Sequence, residues 1–438
     1  MKENLISVKA ATAVGLGAII GAGIFTLSGT AIALAGSLTL VAFLLVGVVA
    51  IIVALEMGEL CSIFPKQNGA SYSFVYETFG SELGFITGIL LYFSFASSIS
   101  VVALGFGSYL TSLLGLSVTA DSSYFAIALI LILTLVNLGG ITKAAKADLV
   151  LVIFKLLILF GVVIFALLYF AHNGSATNIF SSGSRNLGIS GIFSASVAVF
   201  FAYSGFQSIS TFASDVKGGP KGAGRAILYS VAISMIVYVL ITVSLLVLVP
   251  ANQFRIDADP LSFALKTAHA PGYFVSLVDI GALVATTSAS LALLLSSSRI
   301  LFQISSDGLL PKVLRSYDQK RDVARNGVII SAIIGIIMLF SGNIFVMAAI
   351  SNFGLLFSYL IATFALVQCR REGRRGSFSV PRFPYLAAVA MIAILAFMYG
   401  MPREALVIGV ILILALIIVY YTLTGYERKE PPKIRLFD

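Results

Sequence analysis

The chain has 438 residues, 59% of them hydrophobic and only 11% charged, with a formal net charge of +9. No water-soluble domain has that balance, so the composition indicates an all-α polytopic membrane protein in which one transmembrane domain takes up nearly the whole length. A basic excess can signal nucleic acid, but its placement along the chain, given below, excludes that partner.

The first apolar segment, about residues 10–34, is long enough to cross a bilayer. Its middle reads Gly15-Leu16-Gly17-Ala18-Ile19-Ile20-Gly21-Ala22-Gly23-Ile24-Phe25, and glycine is a poor residue for an uninterrupted helix. In hydrocarbon, an unwound stretch survives only where it lines a cavity or is buried in protein. A break there turns free backbone amides inward, which suits an anion. Gly17-x-x-x-Gly21 also suits close helix packing, and the pattern alone leaves both readings open. Met1-Lys2-Glu3-Asn4 leads directly into this segment without a cleavable-signal pattern.

Twelve apolar segments follow one another, at about 10–34, 39–63, 84–113, 122–138, 147–171, 189–214, 224–249, 272–304, 327–342, 344–369, 383–401 and 404–425. With the first connection placed inside, 23 Lys and Arg residues fall on the inner side and four on the outer, while Lys155 lies within a segment. That asymmetry predicts cytoplasmic termini in a plasma-membrane protein, and it makes the basic charge an orientation signal. Cys61 and Cys369 both fall at inner segment ends, in a reducing compartment, so no disulfide is expected.

Segment two ends in Glu56-Met57-Gly58-Glu59. Glu56 reads as part of a solvated inner rim and Glu59 as a candidate for an inner gate. Segment five carries Lys155 about eight residues in, roughly 12 Å deep at helical rise. Its stem could snorkel to the surface; otherwise it is a buried functional amine, and desolvation would then help it give up a proton. Segment six, Val199-Phe200-Phe201-Ala202-Tyr203-Ser204-Gly205-Phe206-Gln207, has Gly205 at mid-depth, as segment one has its glycines. Two halves, 1–171 and 189–369, would each begin with an interrupted helix and be followed by a pair of helices over 383–425, which points to a binding site at the two breaks.

Gly219 and Gly224 have the spacing of a phosphate-binding loop, but Arg225-Ala226 stands where Lys-Ser/Thr is required. Segment eight carries Thr286, Thr287, Ser288 and Ser290. Those hydroxyls can bond back to their own helix, hold an ion, or meet the Lys155 ammonium.

Gly15-x-Gly17-x-Ile19-Ile20-Gly21-x-Gly23-Ile24-Phe25 resembles the first-helix motif of amino acid–polyamine–organocation (APC) transporters. The loop Phe64–Tyr72, the sixth-segment Phe200-Phe201-Ala202-Tyr203-x-Gly205-Phe206, and Asp307-Gly308-Leu309-Leu310-Pro311 extend the likeness to the proton-coupled, bacterial cationic-amino-acid-transporter branch. The resemblance implies a LeuT-type 5+5 inverted repeat with discontinuous helices one and six plus two peripheral helices. It places the substrate carboxylate on amides of Gly21, Ala22 and Gly23, beside Ile20, and the ammonium on carbonyls of Ala202, Tyr203 and Ser204. It also matches Lys155 to a fifth-helix lysine that stands where sodium-dependent relatives hold the ion; Thr286, Thr287 and Ser288 are its candidate partners. Phe25, Phe201 and Phe206 would supply an apolar face.

Two departures narrow the substrate. Gln207 stands where the branch often has an acid, and Leu91-Tyr92-Phe93-Ser94-Phe95 in segment three has none. A cationic side chain would lack a counter-charge there, so neutral or broad-range amino acids are expected. The expected function is sodium-independent, proton-coupled symport without a cofactor or metal; exchange is the alternative. Enzyme chemistry is disfavoured, because His172 and His269 lie apart on outer loops and no hydrolase motif occurs. A non-transporting sensor would need a signalling tail longer than Tyr426–Asp438.

Overall fold

The computed structural model describes residues 6–64, 70–116, 118–140, 144–173, 188–206, 209, 216–321 and 323–424. Among these residues the chain forms fifteen α-helices. Segment one is split into α1 (Val8–Ile19) and α2 (Gly23–Ala35), and segment two is α3 (Thr39–Ile63). Then come α4 (Ala70–Phe79), α5 (Ser81–Leu114), α6 (Val118–Gly139), α7 (Ala144–Asn173) and α8 (Gly188–Tyr203). The second part runs α9 (Gly219–Leu248), α10 (Pro260–Thr267), α11 (Gly272–Ser306), α12 (Arg325–Met338), α13 (Ile344–Arg371), α14 (Tyr385–Tyr399) and α15 (Arg403–Thr424). Eight helical stretches are long and apolar enough to cross a membrane, one of them joining α2 to α3, and four shorter apolar helices accompany them. Two short helices fall where no apolar segment was expected, α4 in the Pro/Gly/Tyr loop and α10 between segments seven and eight.

Each long helix divides its faces by helical period. In α7, Val152, Lys155, Leu159, Val162 and Ala166 are buried, at spacings of three and four, while Ile153, Leu157, Phe160, Ile164 and Leu167 are exposed. The exposed stripe is the kind of apolar surface that hydrocarbon covers, and the buried one faces α1, α9 and α11. Lys155 therefore points into the bundle, with 2% of its surface exposed, and does not snorkel outward. Around α5 pack α6, α11 and α13; α2 lies along α8, and α3 lies between α8 and α9.

The C-terminal end of α3 departs from the expectation for Glu56. From Glu56 to Ser62 every residue is buried, Glu56 completely, so it is not a solvated rim residue. Residues around Phe378 and Val380, beyond α13, fold over this helix end and exclude water from it. Cys61 and Cys369 are buried and are not joined in a disulfide.

Candidate substrate site and its buried lysine

The first-helix break is built by backbone geometry. Ile20 leaves the helix at φ −78°, ψ 57°, and α2 starts at Gly23 with no side-chain cap at Ala22. Within α2 the first hydrogen bond runs from the Thr26 N–H to the Ala22 carbonyl, 3.0 Å, so the amides before it have no acceptor inside their helix. Facing it, α8 stops at Tyr203, and Gly205 follows at φ 116°, a left-handed conformation that a side chain would strain. The two breaks touch. A Cβ on Gly23 would lie 2.4 Å from Ala202 Cα, and one on Gly205 would lie 2.5 Å from the Ala18 carbonyl oxygen.

Tyr238 of α9 joins them. Its buried hydroxyl lies 2.7 Å from the Ile19 carbonyl oxygen and 2.9 Å from that of Ala202. One proton faces two acceptors, so the hydroxyl donates to one break at a time while staying in reach of the other. On the other side Tyr109 of α5 donates to the Phe25 carbonyl at 2.6 Å.

This contact brings Ile20, Gly21, Ala22, Gly23 and Phe25 of the first break together with Phe201, Ala202, Tyr203 and Ser204 of the second; most of them are fully buried. Phe206 is buried in a stack on Tyr359 of α13, ring centroids 5.7 Å apart, and Phe200 meets the same ring edge-on at 6.2 Å. Of the three rings expected to form an apolar face, Phe25 and Phe201 are buried as well, and Tyr359 adjoins Phe206. The Ser204 hydroxyl returns to the Phe201 carbonyl, 2.7 Å. Gln207 lies outside the described residues.

Lys155 Nζ donates to Ser288 Oγ at 2.7 Å, and the Ser288 hydroxyl passes its own proton to the Ala285 carbonyl at 3.1 Å. Thr286 directs its hydroxyl to Ala282 (2.8 Å) or Leu283 (3.1 Å), within its own helix. Thr287 is half-buried. Ser288, one of the three expected hydroxyls, thus accepts from the amine.

Nearer the basic end, Glu59 takes three hydrogen bonds. Arg370 Nε and Nη2 donate to its two oxygens at 2.7 Å each, and the Val380 N–H donates at 2.6 Å. The Arg370 guanidinium also lies 4.2 Å over the Phe383 ring. A bidentate pair that is further satisfied by a backbone amide is a fixed clasp between α3, α13 and the residues after α13.

The sequence that folds into this bundle matches the amino acid permease family model across residues 6–424. The chain belongs to the amino acid permease family, within the APC superfamily. It is 29% identical to the methylthioribose transporter of Bacillus subtilis over 96% of this chain and 92% of that one. It is 26% identical to the branched-chain amino acid permease BcaP of the same organism, with the same coverage. BcaP of Lactococcus lactis is 27% identical over 98% of this chain and 96% of its own length. The permease is accordingly a multi-pass membrane transporter and not an enzyme.

Several groups around the candidate site were not singled out from the sequence. Tyr238, Tyr109 and Tyr359 are single aromatic residues in apolar runs, which read as ordinary core. Their depth was a clue, because membrane tyrosines collect at the interfaces and one at mid-helix needs a partner for its hydroxyl.

Proposed function

We propose that this permease moves neutral amino acids by sodium-independent, proton-coupled alternating access, with both termini in the cytoplasm of a cell whose plasma membrane holds it. The LeuT-type repeat is part of this reading and is supported by the two facing breaks. Amides of Gly21, Ala22 and Gly23 would receive the substrate carboxylate, and carbonyls of Ala202, Tyr203 and Ser204 its ammonium. Phe25, Phe201, Phe206 and Tyr359 would take the side chain. The names of both BcaP relatives favour branched apolar side chains. The observation that carries the coupling is the buried Lys155 bonded to Ser288. A sodium ion beside that ammonium would be repelled, since unit charges 4 Å apart cost about 4 kcal/mol at an effective dielectric of 20.

Purified protein in sodium-free proteoliposomes with an imposed proton gradient tests this. Leucine should accumulate with the wild type, and Lys155→Ala should keep part of its leucine binding while losing the gradient response. A requirement for sodium, or a Lys155→Ala variant that still follows the gradient, overturns the coupling. Preloading with leucine separates symport from exchange. Competition by arginine or methylthioribose that exceeds competition by leucine would overturn the substrate class.

A further inference from the structure

Glu56 is a charged residue type with no exposed surface, three residues before Glu59 on α3. Its neighbour Glu59 takes up Arg370 of α13. Other titratable groups on these two helices are the buried thiols Cys61 of α3 and Cys369 of α13 and the buried phenol of Tyr359. Helix α4, packed on α13, brings Tyr72, Tyr76 and Glu77. Lys221 and Arg225 of α9 are exposed, and the phenols of Tyr203 and Tyr238 lie against Phe43 toward the other end of α3. The Glu56 carboxyl meets one hydroxyl, with Oε2 2.6 Å from Thr363 Oγ1 on α13. Oε1 is buried and has no hydrogen-bond partner among the described residues.

Thr363 settles the bookkeeping of protons. It has one, and two acceptors, the Glu56 carboxyl at 2.6 Å and the Tyr359 carbonyl at 3.0 Å. If Glu56 were ionised, Thr363 would turn to it, and Oε1 would remain a buried charged oxygen without a donor, near the carboxylate of Glu59, an unfavourable state. If the carboxyl carries the proton on Oε2, it donates to Thr363, which donates to Tyr359 in a cooperative chain, and Oε1 is left as a neutral carbonyl oxygen.

The geometry points to Glu56 as a second proton-binding site of this permease, holding a proton between α3 and α13. Thr363 lies one turn beyond Tyr359, the residue stacked on Phe206 at the sixth-helix break. The proton site is thus one helical turn from the candidate substrate site, toward the C-terminal end of α13. Burial favours the neutral acid only while α3 and α13 are together. Once they part, water solvates the carboxylate and the proton leaves, so a rise in pH on that side shifts the population toward parted helices. The link to transport rests on the permease reading, but the occupancy of the proton does not.

Infrared difference spectra of the full-length protein in lipid nanodiscs, wild type minus Glu56→Gln, test the occupancy. The expected result is a carboxylic-acid C=O band at neutral pH that shifts in D2O and fades in alkali. Its absence at neutral pH overturns the assignment. Thr363→Val, which removes the one donor to the ionised form, should keep the band to a higher pH; earlier fading would also overturn it. Alkylation of the native Cys61 and Cys369, one on each helix, reads the second step. With ordinary thiol chemistry divided out using Glu56→Gln, alkylation of the wild type should rise several-fold in alkali; equal rates overturn the linkage. Wild-type uptake that ignores a proton gradient while the band is present would overturn the Lys155 coupling and leave the Glu56 site standing.

Discussion

Gly23 and Ala202 are in backbone contact across the two helix breaks, so close that a methyl group on the glycine would sit 2.4 Å from the alanine Cα. A glycine there is required by packing, whatever the amide of Gly23 binds. Gly21 is different. A Cβ at Gly21 would meet the Ala18 carbonyl oxygen at 3.5 Å and Ala289 Cβ at 3.7 Å, ordinary contact distances.

The pair therefore separates scaffold from site. Gly23→Ala should destabilise the protein by about 1–3 kcal/mol, the usual effect of overpacking, and lower its thermal midpoint. Gly21→Ala should fold with an unchanged midpoint yet bind leucine more weakly, because its methyl crowds the amides expected to hold the carboxylate. Thermal unfolding and leucine binding on both variants check this. Normal leucine binding by Gly21→Ala would return the glycine run to a purely packing role.

Ser288 offers a graded test of Lys155. As the acceptor 2.7 Å from Nζ, it holds the charged amine more strongly than the neutral one, because hydrogen bonds from ionised donors are the stronger ones. Ser288→Ala should therefore remove a contact that favours the protonated state. The uptake-versus-pH profile should move toward acid while leucine affinity at low pH is kept. A profile that does not move would detach Ser288 from the coupling.

What could be read beforehand follows from how each signal arises. The break at residues 20–22 and the one after Tyr203 were legible because glycines fall at mid-segment in segments one and six alike, a matched placement that packing alone does not call for. The burial of Lys155 was legible in part, as the alternative to snorkelling that its depth allows, but the run around it is apolar on every face, so nothing in the sequence shows which way it turns or selects Ser288 over Thr286 or Thr287. Glu56 was misread because its place near a segment end suggested water, whereas α13 and the residues after it cover that end. Helix α10 was invisible because eight residues beginning with Pro260 and containing Lys266 resemble a loop until their packing on α2 is seen.

The Glu59–Arg370 clasp should behave as a unit. Glu59 is 3% exposed and Arg370 27%, so removing one partner strands a charge that is mostly desolvated. Breaking a buried pair costs about 3–5 kcal/mol, and the partly exposed arginine puts this one near the lower figure. Arg370→Ala alone should be severely destabilising. The double variant Glu59→Gln/Arg370→Ala should lose less than the sum of the two single changes, the mark of direct coupling. Additive losses in a thermal double-mutant cycle would show that the residues act separately. Arg370→Lys should rescue little, since an ammonium cannot make the bidentate contact.

At the opposite end, α10 closes over α2, where Pro260 packs so close to Gly29 that a Cβ on the glycine would lie 2.4 Å from it. Lys266 Nζ fastens the helix by donating to Ser112 Oγ at 2.6 Å, and Ser112 in turn donates to Asp279 at 3.1 Å. Asp259 stands just before α10, and burial, followed by repulsion from Asp257, pushes its carboxyl up to about 6 against the pull of Lys266. The closed lid therefore prefers the protonated acid. Its stability is highest in acid, declines as pH rises from the ordinary carboxylate range to about 6, and is level above that. Amide exchange over Pro260–Thr267, corrected for intrinsic rates, should be slower at about pH 5 than at about pH 7.5 in the wild type. Asp259→Asn should remove that difference and hold the lid closed at both values. Faster corrected exchange in acid would show that the charged carboxylate, bonded to Lys266, is what keeps α10 in place.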